Sequence, residues 1–214
     1  MPSELLQVTR NDAIVALTLN RPDRRNALNT ELRDAIREAL ADVEDDDSAS
    51  VAIITGNGPV FCAGFDLKEF EGGKMQEIFS GESSTRYHEK LRTFAKPLVG
   101  AINGPAMAGG FDLAVFCDLR IASSAASFGH PEIKFGAGVM FGPLADLVGE
   151  GVARDLCFTG RTIDADTAYR LGIVSRVVAA SGLQREALAL ARTIAEAPLP
   201  ALKRVKASVI ERRS

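Results

Sequence analysis

The strongest constraint in this sequence is an alternation. Short apolar runs rich in β-branched residues, each stopped by asparagine, glycine or proline, are separated by stretches with helical spacing. Residues 13–19 (AIVALTL) read as a mostly buried strand stopped by Asn20, Arg21 and Pro22. Asn29 and Thr30 are apt N-cap residues for a helix whose apolar positions Leu32, Ile36, Ala39, Leu40 and Val43 share one face. The acidic run 44–47 reads as its solvated end. Residues 51–55 (VAIIT) form a second interior strand before Gly56-Asn57-Gly58-Pro59. Tyr87, Leu91 and Phe94 mark another helix face, Pro97 stops it, and residues 98–102 (LVGAI) give a third buried strand before Asn103-Gly104-Pro105. Such an order predicts an α/β domain built from crossover units.

A helix over 106–116 follows, then short strands at 119–122 and 127–128 and helical spacing over 144–148 and 152–158. Asp164 opens a helix that stops at Gly172, and 173–178 is a late strand. Residues 183–197 form a long amphipathic helix ended by Pro198 and Pro200, and a basic helix closes the chain. With no Pro/Ser-rich linker and no repeat, one domain over 1–214 is expected, with a core over about 1–150 and a helix-rich region over about 151–214.

The 214 residues are 46% hydrophobic and 25% charged, which excludes disordered and fibrous classes. A net charge of -3 supplies no basic field for a nucleic-acid backbone. No apolar run approaches the roughly 20 residues of a membrane span. Residues 1–10 have neither a secretory apolar core nor an Arg-rich, acid-free leader, so a cytoplasmic location is expected. Cys62, Cys117 and Cys157 are odd in number and far apart, which fits reduced, buried thiols and no metal site.

Two glycine-rich joints follow predicted strands. In the first, Phe61-Cys62-Ala63-Gly64-Phe65-Asp66-Leu67-Lys68, the small residues let backbone approach a ligand and turn the Phe65 amide toward it. In the second, residues 103–112, Gly109 falls in the first turn of a helix, where unpaired N–H groups and partial positive charge suit a developing oxyanion. Each joint taken alone is more simply a tight turn or close helix–strand packing.

Several segments in order resemble the enoyl-CoA hydratase/isomerase (crotonase) family. They are Leu19-Asn20-Arg21-Pro22 with Asn26-Ala27-Leu28-Asn29; Cys62 to Leu67; Asn103-Gly104 through Gly109-Gly110 to Cys117-Asp118-Leu119-Arg120-Ile121-Ala122; Phe128-Gly129-His130-Pro131-Glu132; and Thr159-Gly160-Arg161 with Ala168 and Leu171-Gly172. The resemblance implies a spiral of repeated strand-strand-helix units with a helical C-terminal region, assembled as a homotrimer or a dimer of trimers. It implies that the amides of Phe65 and Gly109 polarise the thioester carbonyl of an acyl-CoA, with Glu132 at the main acid/base position and Asp112 at the second acid position. Ala63, Phe65, Asp66, Leu67 and Lys68 are expected along the CoA moiety, and Lys68, Arg24 and Arg25 near its phosphates. No separate cofactor is implied, since CoA belongs to the substrate.

Within that resemblance a 2-enoyl-CoA hydratase of fatty acid metabolism is expected first and a double-bond isomerase second. A thioester hydrolase or dehalogenase, or a non-catalytic acyl-CoA-binding subunit, are the further alternatives. Asp112 stands where hydratases carry glutamate, which retracts the carboxylate by roughly 1.5 Å. Dienoyl-CoA isomerases have an aspartate there but also a further acid, where this chain has Met140. Residues 136–142 (GAGVMFG) lack the usual proline- and glycine-rich form, placing Met140 and Phe141 against the acyl group, with Phe70, Phe79 and Tyr87 as further wall candidates. His130 is read as structural, because no G-x-S-x-G elbow accompanies it. Family members usually continue beyond the position of Ser214 with helices that cover the acyl pocket and pack at the trimer contact.

Overall fold

The computed structural model describes residues 4–70 and 81–212, the side chain of Phe70 excepted. Its centre is a six-stranded sheet in the order β1 (Leu6–Asn11), β2 (Ile14–Leu19), β3 (Val51–Gly56), β4 (Leu98–Ile102), β6 (Leu119–Ser123) and β9 (Arg176–Val178). Only the β1–β2 pair is antiparallel. Both faces are covered, which is why the central strands read as continuous apolar runs. Ile14, Val51, Ile53, Val99, Ala101 and Ile121 pack on Leu183, Ala187 and Ala191 of α7 (Leu183–Ala195). The intervening Ala52, Ile54, Leu98 and Ile102 face the larger core. That core includes Leu32, Ile36 and Leu40 of α1 (Thr30–Asp45) and Tyr87 and Leu91 of α2 (Glu82–Thr93). Each fully buried aliphatic side chain contributes about 1.5–3 kcal/mol.

The α/β class and the helix-rich end are as expected, with local differences. Strand β1 was not anticipated: only its Leu6 is buried, so an edge strand of mostly exposed residues carries no alternation to read. The segment expected as one helix over 106–116 divides into β5 (Ala106–Met107) and α3 (Gly109–Phe116). Of 173–178 only Arg176–Val178 is strand, because the amides of Ile173 and Val174 both donate to Ala168 O and close α6 (Ala165–Arg170). Pro200 is the second residue of the last helix, α8 (Leu199–Arg212), where its missing N–H costs nothing. The acidic end of α1 is more than solvated. Glu44 accepts from the Ala95 amide (2.6 Å) and pairs with Lys90, while buried Lys96 donates to Val43 O and Asp46 O at 2.7 Å each.

Two features of this fold create a site. First, parallel β2, β3 and β4 end at the same edge, and the chain leaving each is stitched to its neighbour. The Ala63 amide donates to Arg25 O (3.0 Å), that of Leu28 to Gly64 O (2.8 Å) and that of Asp66 to Leu28 O (3.2 Å). On the other side of the same segment, Cys62 N–H donates to Pro105 O (3.2 Å) and Met107 N–H to Cys62 O (2.9 Å). Buried Asn26, at φ 53°, fastens the join: its side chain donates to Asn57 O (2.9 Å) and Val60 O (2.8 Å) and accepts from the Arg21 amide (2.9 Å). Second, β5 pairs in parallel with β7 (Ser127–Gly129), which in turn pairs with β8 (Ile163–Asp164). Parallel pairing sends the chains after β5 and β7 out of one edge together, so 109–112 and 130–132 emerge as neighbours. Among the described residues no helix is long and apolar enough to cross a membrane.

Candidate active site

The two glycine-rich joints meet. Gly64 sits at φ +93°, and a Cβ built on it would lie 2.9 Å from Met107 O and 3.1 Å from Gly109 N. A Cβ on Gly109 would lie 2.8 Å from two carbons of the Phe65 ring. Because Gly64 O and the Asp66 amide both face Leu28, the intervening Phe65 amide is directed to the opposite side, toward 105–109. The Phe65 ring is seated between bare Gly109 and the guanidinium of Arg33, 5.0 Å from its centroid. Arg33 is itself buried and bonded to Leu28 O (2.8 Å), Thr30 Oγ1 (2.9 Å) and Glu69 (3.3 Å).

Gly109 opens α3, whose first amides have no partner within the helix and sit at its positive end. The residue before it, Ala108, holds φ 52° and ψ -130°, a conformation that costs a side-chain-bearing residue on the order of 1–3 kcal/mol. That turn is fixed from both sides: the Ala108 amide donates to Gly129 O (2.9 Å), and Ala108 O accepts from Phe111 (2.8 Å) and Asp112 (3.1 Å). The strain therefore aims the Gly109 peptide.

These segments border a cavity of about 390 Å³ lined by apolar groups from Ala63, Leu67, Pro131, Phe135, Ala137 and Met140, among others. Asp112, three residues after Gly109 and on the same helix face, and Glu132, in the 3-10 turn Pro131–Phe135, bring two carboxyl groups to it. Between them lies His130, fully buried, with Nδ1 2.9 Å from Glu132 Oε1 and Nε2 3.8 Å from Asp112 Oδ1. Burial pushes the Asp112 carboxyl up to about 7; the His130 charge pulls against this and the Glu132 charge adds to it. Burial opposes a charge on His130, but the bond to Glu132 and the charges of Asp112 and Glu132 outweigh it and raise its pKa. His88, also at the cavity, is lowered to about 4 by burial and by Arg33, so it is neutral at pH 7.

Two convergent amide segments and two carboxyl groups around one apolar pocket are the equipment for stabilising an enolate and moving a proton. Comparison with known proteins agrees. A family model described as enoyl-CoA hydratase/isomerase matches residues 9–214. The chain belongs to the enoyl-CoA hydratase/isomerase family. A protein named probable enoyl-CoA hydratase in Mycobacterium tuberculosis is 38% identical over 212 residues, 98% of this chain and 82% of the relative. The crotonyl-CoA hydratase of Syntrophomonas wolfei is 35% identical, over 99% of this chain and 83% of its own length. The crystal structure of an enoyl-CoA hydratase from Bacillus anthracis superposes with a TM-score of 0.90 at 31% identity, covering 96% of this chain and 82% of that one.

Of the residues singled out in the sequence, Ala63, Phe65, Leu67, Gly109, Asp112, Glu132 and Met140 line the cavity of this family member. Others are placed elsewhere. Arg24, Arg25 and Lys68 are exposed. Asp66 is not among the cavity-lining residues; its carboxylate pairs with Arg21 (3.0 Å) and accepts from the Lys68 amide (3.1 Å), closing the turn after Phe65. Phe141 opens α4 (Phe141–Val148) and, like Met140, packs on the main core, but only Met140 lines the cavity. Tyr87 is core, 1% exposed. Phe79 and the side chain of Phe70 lie outside the described residues. Sequence reasoning missed His88 and Arg33, and it treated His130 as structural. The one available signal was that both histidines of the chain fall in segments flanking the expected pocket.

The buried Asp112 carboxyl makes stability depend on pH. Between its ordinary value of 3.8 and about 7, the folded protein keeps a proton that the unfolded chain has released, so rising pH favours unfolding across that window. Asp112→Asn is therefore expected to gain stability over the parent by about 2–4 kcal/mol on going from pH 4 to pH 8, at about 1.4 kcal/mol per pKa unit. Urea denaturation at the two pH values measures it; an equal difference at both would show that Asp112 is not held protonated.

Proposed function

We propose that this chain is a 2-enoyl-CoA hydratase, adding water across the conjugated double bond of an enoyl-CoA thioester. The observation that supports this most is the pairing of Asp112 and Glu132 at one pocket with the Phe65 and Gly109 segments. The names of the relatives point the same way. In this reading the amides of Phe65 and Gly109 hold the thioester oxygen as negative charge builds on it. Glu132 exchanges a proton with the α-carbon, and Asp112 holds and activates the water. Leu67 and Phe135, each 77% exposed, form an apolar lip at the mouth, with Ala63 and Met140 further in. Exposed Arg24, Arg25 and Lys68 are the candidates for the CoA phosphates. No cofactor beyond the CoA of the substrate is called for. As the resemblance implies, we also propose a trimer or dimer of trimers working in the cytoplasm on fatty acid intermediates.

Incubation with crotonyl-CoA should remove the absorbance of the conjugated thioester, and light scattering should give three or six times the chain mass. Conversion of a 3-enoyl-CoA with no loss of crotonyl-CoA would replace hydratase by isomerase. Binding of both thioesters without turnover would refute the enzyme reading.

A further inference from the structure

His130 stands between two acids in a way that a structural residue does not require. Its ring packs at a tilt against Phe111 (centroids 4.9 Å apart), it is fully enclosed, and its two nitrogens face different carboxyl groups. Nε2 is buried with no hydrogen-bond partner, and so is Glu132 Oε2. Buried polar atoms left this way call for an explanation. Asp112 Oδ1, at 3.8 Å, is about 0.8 Å beyond a normal bond to Nε2, a gap of the kind that closes when substrate tightens a site.

Two carboxylates facing one apolar pocket repel, and without compensation one of them stays protonated. A cation between them removes that restriction. We propose that His130 is a positioning residue which, as an imidazolium bonded to Glu132 and facing Asp112, aims both acids and allows both to be ionised at once. This rests on the hydratase reading for the roles of the two acids, though not for the ionisation itself. Glu132 is then held by the Nδ1–H donor with its second oxygen left for substrate, and above about pH 7, where Asp112 gives up its proton, Asp112 can serve water as an anion.

The groups that face this cluster are few. Asp112 comes from α3 and Glu132 from the turn that carries His130. Cys157, on α5 (Glu150–Thr159), senses both acids, but burial first and their charges second push its thiol up to about 11. Cys62 and, on α2, Tyr87 also feel Asp112; burial pushes the Cys62 thiol up to about 12 and the Tyr87 hydroxyl well above its ordinary value. All three groups stay neutral throughout the range that matters, so the pH response belongs to the three-residue cluster, whose titrations are coupled.

The test uses His130→Gln, which keeps a hydrogen-bonding side chain of similar reach and removes the charge. With crotonyl-CoA, the rising limb of kcat against pH is expected to move up by one pH unit or more. That makes the variant about tenfold slower than the parent at pH 7 and within about threefold at pH 9, with KM little changed. A uniform loss at every pH with the limb unmoved, or no change at all, overturns the proposal. A second measurement needs no turnover. The chain has two histidines, and His88 is neutral at pH 7, so nitrogen NMR of the imidazoles separates them. His130 should show both nitrogens protonated at pH 6, and Asp112→Asn should lower its titration midpoint by about one unit. A neutral ring at pH 6, or a midpoint indifferent to Asp112, overturns the proposal. If the parent leaves crotonyl-CoA untouched while His130 titrates as stated, the hydratase reading fails and the ionised cluster stands.

Discussion

Glu132→Gln is expected to lower kcat on crotonyl-CoA by about three orders of magnitude while KM moves by less than about threefold. Glutamine fills the same volume in the 3-10 turn Pro131–Phe135, and its amide oxygen can still accept from His130 Nδ1 across the present 2.9 Å. Shape, burial and the neighbouring oxyanion segments are therefore kept, and ligand binding with them. What disappears is the capacity to exchange a proton with the α-carbon, a capacity for which Asp112, held on α3, is not placed as a substitute in the proposed mechanism. Steady-state kinetics, with calorimetry of a non-reactive acyl-CoA to confirm binding, would measure both halves. Near-normal rates would remove Glu132 from the acid/base role.

Gly64→Ala should cost about 10²–10³ in kcat/KM with the overall fold retained. The alanine Cβ would lie 2.8 Å from Ala108 Cβ, 2.9 Å from Met107 O and 3.1 Å from Gly109 N, at a φ of +93° that disfavours any side chain. All three neighbours belong to one rigid segment, two of them are backbone, and Met107 is tied back to Cys62 O by a 2.9 Å bond. Relief comes only by spreading the two joints apart, which separates the proposed oxyanion donors by the few tenths of an ångström that such a site does not tolerate. Gly142→Ala is the control, since a Cβ there meets nothing within 4 Å. Circular dichroism checks the fold of both variants. Full activity in Gly64→Ala would mean that the amides at 65 and 109 do not act together.

The parts of this architecture that could be read in advance are those written in local pattern. Strands β2, β3 and β4 are apolar runs because both sheet faces are covered, and Asn29 caps α1 as its residue type suggests, accepting from the Leu32 amide at 3.1 Å. What stayed hidden is written in pairings between distant segments. Strand β5 is two residues long and exists through its partner β7, so it looked like the start of a helix. His130 gained its place beside Asp112 from that same pairing, and no spacing along the chain encodes it. Arg33 lies off the apolar positions named for α1, yet it is buried under the Phe65 ring because Leu28 O and Glu69 are there to receive it. Asp66 was expected along the CoA moiety because the family resemblance implies it, and in the structure Arg21, brought in by the loop after β2, pairs with its carboxylate.

The small ladder at the ends of the parallel strands has a consequence for how the molecule comes to be competent. Its rungs join residues near 28, 64 and 106, and one of the two acids, Glu132, sits on a fourth stretch around 130. Every one of these closures spans tens of residues, the kind of contact that pays its entropy before it returns anything. A chain ending before residue 127 would lack β7, the partner of β5, and the Gly129 carbonyl that holds the Ala108 turn, so the pocket is expected to be complete only once that late stretch joins segments begun a hundred residues earlier.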